Sequence, residues 1–219
     1  MHPKVQELIE IVGRTRVDHT YSQRPEEFLD ERIAWLAAKC PRVLDFGRSS
    51  RHRFQLFAPG QAVTADINQY EGYPDLICDL CDRDSMPQER FDGIVCLSIL
   101  EHTYNPLTAS ENLHFLLKDG GVCLGYAPFL YRYHSFSSEV EQDFYRFSHD
   151  GLAYMLRDFR EVTLYSVRGP NSTMLNLFKW WKRKVEKKYG FRLNRFLDRL
   201  NRSPERLYQT SGYYFWAVK

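Results

Sequence analysis

The chain has 219 residues, 43% hydrophobic and 26% charged, which supports one elaborated domain with a buried core and excludes a disordered chain. Thirty Lys and Arg against 28 Asp and Glu leave a formal charge of +2, so bulk charge argues against a nucleic-acid coat, and composition excludes collagen and coiled coil. Five cysteines, odd in number and irregularly spaced, lie mostly among Val, Ile and Leu, as expected of reduced thiols in a cytosolic protein.

The opening MHPKVQELIEIVGRTR carries Glu7 and Glu10 and no apolar stretch of signal-peptide length, so no export is expected. Residues 1–40 read as two N-terminal helices, with Val5, Leu8, Ile9 and Val12 on one face and Phe28, Ile33, Leu36 and Ala37 on another; Pro41 stops the second. Residues 41–219 form the main domain. Short apolar runs at 42–47, 62–67, 75–79, 93–99 and 122–127 suit strands buried on both faces of a parallel sheet. Helices are predicted at 105–117, stopped by Asp119-Gly120-Gly121, and at 149–158. A sixth strand is predicted at 161–167 and a last, aromatic one from Tyr213 to Lys219. The pattern is α/β, a Rossmann-like doubly wound sheet, mostly parallel with an antiparallel last strand and helices on both faces.

Before that last strand, residues 171–206 read as a basic helical insertion. Between Lys179 and Arg195 there are eight Lys or Arg and one acidic residue, a local charge of +7. Leu175, Phe178, Trp181, Val185 and Tyr189 recur every three or four residues, with Lys182, Arg183, Lys184, Lys187 and Lys188 between them. Two readings stay open: a lid packing its apolar face on the domain, or an amphipathic helix resting on an anionic membrane surface through 175–195. Either way Phe178, Trp181 and Val185 are expected to be covered. Nucleic acid is not expected, because the aromatic and basic groups form two faces of one helix. The longest apolar run, Tyr213 to Val218, cannot span a bilayer. The expected location is cytoplasmic, at most peripheral to a membrane, and nothing indicates an oligomeric state.

In open parallel sheets, ligands sit at the carboxyl ends of the strands where the strand order reverses. Here the first strand ends in Asp45 and Gly47, the second at Asp66 some twenty residues on, the third at Asp79 and the fourth in Glu101-His102. The acid ending the second strand is placed to accept hydrogen bonds from a ribose diol.

A block of Phe91, Asp92, Leu100, Glu101, His102 and Pro106 is followed by Gly120, Gly121, Pro128 and Phe129, then by His134, Asp143, Tyr145, Arg146 and Phe147. From about Val43 to Val167 the chain thereby resembles the class I S-adenosylmethionine-dependent methyltransferases, in the type-11-like branch with LEH and H…DxYRF blocks. The resemblance implies S-adenosylmethionine as cofactor and methyl transfer to a small-molecule, sugar or glycan-type acceptor, in glycan biosynthesis. It implies Asp45, Gly47 and Ser49 in the loop under the methionine part, Asp66 and Ile67 at the ribose, and Asp79 and Leu80 at the adenine. Leu97, near the end of the fourth strand, completes that set.

The family's GxGxG loop stands here as Gly47-Arg48-Ser49-Ser50-Arg51. Glycine permits positive φ and close backbone approach, which arginine and serine resist. Either Arg48 or Arg51 pairs with the cofactor carboxylate while Ser49 caps the next helix, or the pocket is closed and the chain is a catalytically inactive methyltransferase-like binding or partner subunit. For catalysis the candidates are His134 and His102, because both follow strand ends and imidazole suits general-base work. Tyr131, Tyr133, Tyr145 and Arg146 are expected to bind the acceptor. Asp143 and Arg146 are expected to form a structural ion pair, Arg146 is a candidate anion-binding residue, and the two roles are compatible. Cys78-x-x-Cys81 lacks a second ligand pair for zinc, so buried inert thiols and no metal are expected.

Overall fold

The computed structural model describes residues 1–19, 24–135, 142–178, 180, 181, 184, 191–200 and 204–219. Eight strands form one sheet: β1 Arg16–His19, β2 Val43–Phe46, β3 Ala62–Asp66, β4 Leu76–Ile77, β5 Phe91–Leu97, β6 Leu117–Pro128, β7 Glu161–Ser166 and β8 Gly212–Val218. Their order is β1-β7-β8-β6-β5-β2-β3-β4. All neighbours run parallel except β8, which lies antiparallel between β6 and β7. The expected mixed sheet is therefore present. Order reverses at β2, whose neighbours are β3 and β5, and the carboxyl ends of these strands open the crevice that can hold a ligand.

The strands form because their apolar runs bury on both faces. Leu44, Phe46, Ile94 and Cys96 belong to a core shared with α3 (Pro106–Leu116) and α4 (His149–Met155). Val43, Val95 and Leu97 belong to a second core, under α2 (Pro25–Lys39), which contributes Phe28, Ile33 and Leu36. Gly125 of β6 is required by packing, since a Cβ there would lie 1.9 Å from the Phe215 ring. Pro25, Pro106 and the Ser148 hydroxyl, which accepts the Gly151 N–H at 3.2 Å, start their helices as local chemistry dictates.

Several elements depart from the sequence expectations. Residues 1–40 hold two helices, but β1 lies between them and pairs with β7. In α1 (Pro3–Arg14) Ile11 is the buried residue, whereas Val5, Leu8 and Ile9 are exposed. Gly120 and Gly121 do not stop α3; the chain passes at Leu117 straight into β6, and the two glycines sit in an irregularity of its pairing with β5, with Gly120 at φ +77°. The helix after β2 is a single 3₁₀ segment, Arg51–Leu56, held to α2 by Arg53, which is buried against Glu26 and Asp30.

Beyond β7, α5 (Pro170–Asn176) and α6 (Phe191–Leu200) are joined through Asp198. Its carboxylate accepts the N–H of Gly169 at 2.9 Å and of Ser172 at 2.8 Å, capping α5 from a neighbouring helix. Phe178 is 52% exposed and Trp181 partly covered, so Phe178 is not packed beneath a lid; Val185 and Tyr189 lie outside the described residues. Among the described residues no helix is long and apolar enough to cross a membrane.

Candidate functional site

At the carboxyl ends of β2, β3 and β5 lies a cavity of about 160 Å³. Gly47, Asp66, Ile67, Asp79, Leu80 and His102 are among its walls. Five of these are sequence candidates for the cofactor and one a candidate for catalysis; β2, β3, β4 and β5 deliver them because each strand ends at that rim. A wider groove of about 660 Å³ runs beside α1, lined by Glu7, Glu10, Arg14 and Arg157. It lies near the amino end of β7, away from the ligand-binding ends of the strands.

Asp66 is half-buried. One oxygen accepts the Asn68 N–H at 3.0 Å and the other the Tyr73 hydroxyl at 2.9 Å. Each oxygen therefore keeps acceptor capacity toward the cavity. Asp79 is arranged alike, taking the Cys81 N–H at 2.8 Å and the Tyr104 hydroxyl at 2.7 Å. Sharing that hydrogen with Asp79 pushes the Tyr104 phenol up to about 12. Tyr70 and Tyr104 also wall the cavity and were missed in the sequence; aromatics in the short loops just past two acidic strand ends were the available signal.

Gly47 has φ +63°, and a Cβ there would lie 2.7 Å from Ile99 Cδ1. Arg48 at φ 46° and Arg51 at φ 57° take the left-handed conformations that glycines would take more cheaply. The turn thus survives the substitutions, with the Arg48 guanidinium 5.3 Å from the centre of the Phe54 ring.

Asp45, Ser49 and Leu97 support this loop instead of lining the cavity. Asp45 is fully buried and accepts from the Ser49 hydroxyl at 3.1 Å, the Ser50 hydroxyl at 2.5 Å and the Ser50 N–H at 3.3 Å. Ser49 in turn accepts the Leu97 N–H at 3.1 Å, tying the loop to the end of β5. Ser49 therefore caps nothing: Ser50 precedes the 3₁₀ helix, and no side chain caps it. Burial pushes the Asp45 carboxyl up to about 6 against the pull of these hydrogen bonds. The unfolded carboxyl loses its proton near 3.8 and the folded one near 6, so this group's contribution to stability falls as pH rises through that window and stays low above it. Asp45→Asn removes the titration. Denaturant unfolding should show the variant gaining on the parent from acid pH to neutrality; an offset independent of pH would contradict it.

His102 and His134 meet at the rim. Their Nε2 atoms are 3.3 Å apart and their rings are edge to face. His102 Nδ1 faces the Gln142 carbonyl at 2.6 Å, and His134 Nδ1 faces Asp143 Oδ2 at 3.1 Å. Desolvation holds the His134 imidazole below its ordinary value, opposed by Asp143. The segment carrying Asp143 is stitched to the Glu101 turn, whose carbonyl accepts the N–H of Phe144 at 2.9 Å.

Arg146 is bonded into its own loop. Its guanidinium clamps both oxygens of Asp143 and donates to the carbonyls of Tyr131 at 3.2 Å, Arg132 at 3.1 Å and Tyr145 at 2.7 Å. That uses all five N–H groups of an arginine, so Arg146 holds this loop together, as the ion-pair reading expects. Tyr131 sits 5.9 Å from the His134 ring, centre to centre. Tyr133 and Tyr145 are more than a third exposed, and Tyr145 donates to the Tyr104 carbonyl at 3.3 Å. All five cysteines are free; burial pushes Cys78 up to about 11, and Cys81 turns to the Asn105 carbonyl at 3.4 Å.

No family model matches the chain, and no curated protein matches it. Among solved structures it is similar to an S-adenosylmethionine-dependent methyltransferase from Archaeoglobus fulgidus, at 18% identity over 88% of this chain and 94% of that one, TM-score 0.54. It is also similar to the [4+2]-cyclase SpnF, at 12% identity over 99% and 94% of the two chains, TM-score 0.50. At such identities the likeness is one of fold, that of the class I methyltransferases, and the second name shows that this fold carries other chemistry too.

Proposed function

We propose that the chain is an S-adenosylmethionine-dependent methyltransferase acting on a small-molecule, sugar or glycan-type acceptor. The observation that carries this reading is the convergence of Asp66 and Asp79 on one cavity at the reversal of strand order, beside a Gly47 turn with no side chain. The residues fit the cofactor. Asp66 has an acceptor position per oxygen for a ribose diol, Asp79 stands one strand farther along for the adenine, and Ile67 and Leu80 supply apolar contact. When bound, the sulfonium supplies an electrophilic methyl group; the protein's task is then to hold the acceptor in line with it, and alignment of this kind is worth about 7–11 kcal/mol of the barrier. His102 and His134 mark the acceptor side of the cavity.

Calorimetry with S-adenosylmethionine and S-adenosylhomocysteine tests the reading, with saturable binding of both expected. No heat from either at millimolar concentration would leave the inactive partner-subunit reading in its place.

The exposed side chains of Leu177, Phe178 and Trp180, next to a segment of net charge +7, support a peripheral contact with anionic lipid. Co-sedimentation with anionic vesicles is expected at low salt and should weaken as salt screens the lysines. Equal pelleting with neutral vesicles, or none with anionic ones, would remove it.

A further inference from the structure

Glu101, His102 and His134 bring three ligand atoms together, all within 4.8 Å of one another. The two Nε2 atoms are 3.3 Å apart, and each stands 3.9 Å from Glu101 Oε1. Two ligands about 2.1 Å from a tetrahedral ion stand about 3.4 Å apart. The histidine pair already has that spacing, and a small rotation of the glutamate brings in the third atom.

Proton accounting makes the arrangement more specific than proximity. A carbonyl and a carboxylate only accept hydrogen bonds, so His102 Nδ1, facing Gln142 O, and His134 Nδ1, facing Asp143 Oδ2, both carry the ring hydrogen. In neutral imidazoles both Nε2 atoms then present lone pairs, to each other and to a carboxylate oxygen. Two imidazole lone pairs then point at each other beside a carboxylate oxygen, and a cation at their centre resolves the repulsion. Imidazoles that bind metals nearly always give their other N–H to a carboxylate or a backbone carbonyl, and both kinds of partner are here. The Asp143 partner is fixed by Arg146.

We propose that Glu101, His102 and His134 bind a divalent transition-metal ion at the rim of the cavity. Two imidazoles and one carboxylate suit borderline ions such as Zn²⁺, Fe²⁺ and Co²⁺ better than the hard ions Mg²⁺ or Ca²⁺. Three protein ligands leave coordination positions for water or a ligand's oxygen. The sequence expectation of no metal rested on the cysteines, which lie apart from this cluster. The inference holds whether or not the chain transfers methyl groups.

The test uses the full chain stripped with chelator and titrated calorimetrically with Zn²⁺, Mn²⁺ and Co²⁺, Mg²⁺ being the control; Co²⁺ also reports its ligands by visible absorption. One equivalent of a transition metal is expected, with Mg²⁺ binding far weaker. His134→Ala and Glu101→Gln should each abolish that equivalent or weaken it more than a hundredfold. Asp143→Asn, which removes no ligand, should weaken it about 10–100-fold. Circular dichroism of each variant establishes folding, and should His134→Ala not fold, Glu101→Gln decides alone. Overturning results are no transition metal bound by the parent at micromolar concentration, where a shared proton fills the site, or one equivalent untouched by Glu101→Gln and His134→Ala, which places the ion elsewhere, for instance on Cys81.

Discussion

Replacing Asp66 by alanine is expected to raise the dissociation constant for S-adenosylmethionine at least about a hundredfold. In the proposed complex a ribose diol would donate two hydrogen bonds to this carboxylate, and a bond to a charged group is worth about 1.5–3 kcal/mol; losing two would cost at least about 3 kcal/mol, a little over two powers of ten. Asp66→Asn, which keeps one acceptor oxygen, should lie between. The alternative cause is local, because Asp66 also holds the Asn68 N–H and the Tyr73 hydroxyl. Tyr73→Phe removes one of those protein bonds and leaves the carboxylate, so its affinity should stay within a few-fold of the parent. Calorimetry of the four proteins decides: an Asp66→Ala constant within threefold of the parent, or a Tyr73→Phe loss as large as that of Asp66→Ala, would contradict a ribose contact.

Asp66 was legible because its strand is a mostly apolar run, and a polar residue at the carboxyl end of such a run is placed at the crevice. Asp45 satisfies the same rule in sequence and breaks it in space. One turn further on, Ser49 and Ser50 fold back and take its carboxylate for themselves, and no one-dimensional pattern separates an acid that lines the cavity from one that receives its own loop. The meeting of His102 and His134 follows from topology: β5 and β6 are parallel neighbours, so residues just past their ends lie side by side. That Glu101 joins them, and that Gln142 and Asp143 orient the rings, depends on the path of a later segment across the Glu101 turn. The strand β1 was hidden for another reason. Its Arg16-Val17-Asp18-His19 is short and polar, as an edge strand is, and only β7 beside it makes it a strand.

Arg146 uses every N–H it has inside one loop, and Arg146→Met is expected to lower the unfolding free energy by about 1.5–3 kcal/mol, the usual worth of hydrogen bonds to a charged group. Methionine matches the aliphatic stem but leaves Asp143, whose side chain is fully buried, without its clamp, and three carbonyls without their donor. Arg146→Lys should recover only part of the loss, because a single ammonium cannot reach Asp143 and the carbonyls of Tyr131, Arg132 and Tyr145 together. The pH dependence has a definite sign. The bonds from Arg146 hold the Asp143 carboxyl below its ordinary 3.8, so the stabilisation is complete above that value and is lost as pH falls through the lower folded one. The parent's advantage over Arg146→Met in urea unfolding should therefore be constant around neutrality and shrink only in strong acid. Because Asp143 also accepts from the His134 backbone and ring, the His134 ring resonances should broaden or shift in Arg146→Met under conditions where the sheet remains folded. A stability within about 1 kcal/mol of the parent, with His134 unmoved, would show that the loop is held by its aromatic contacts and not by this pair.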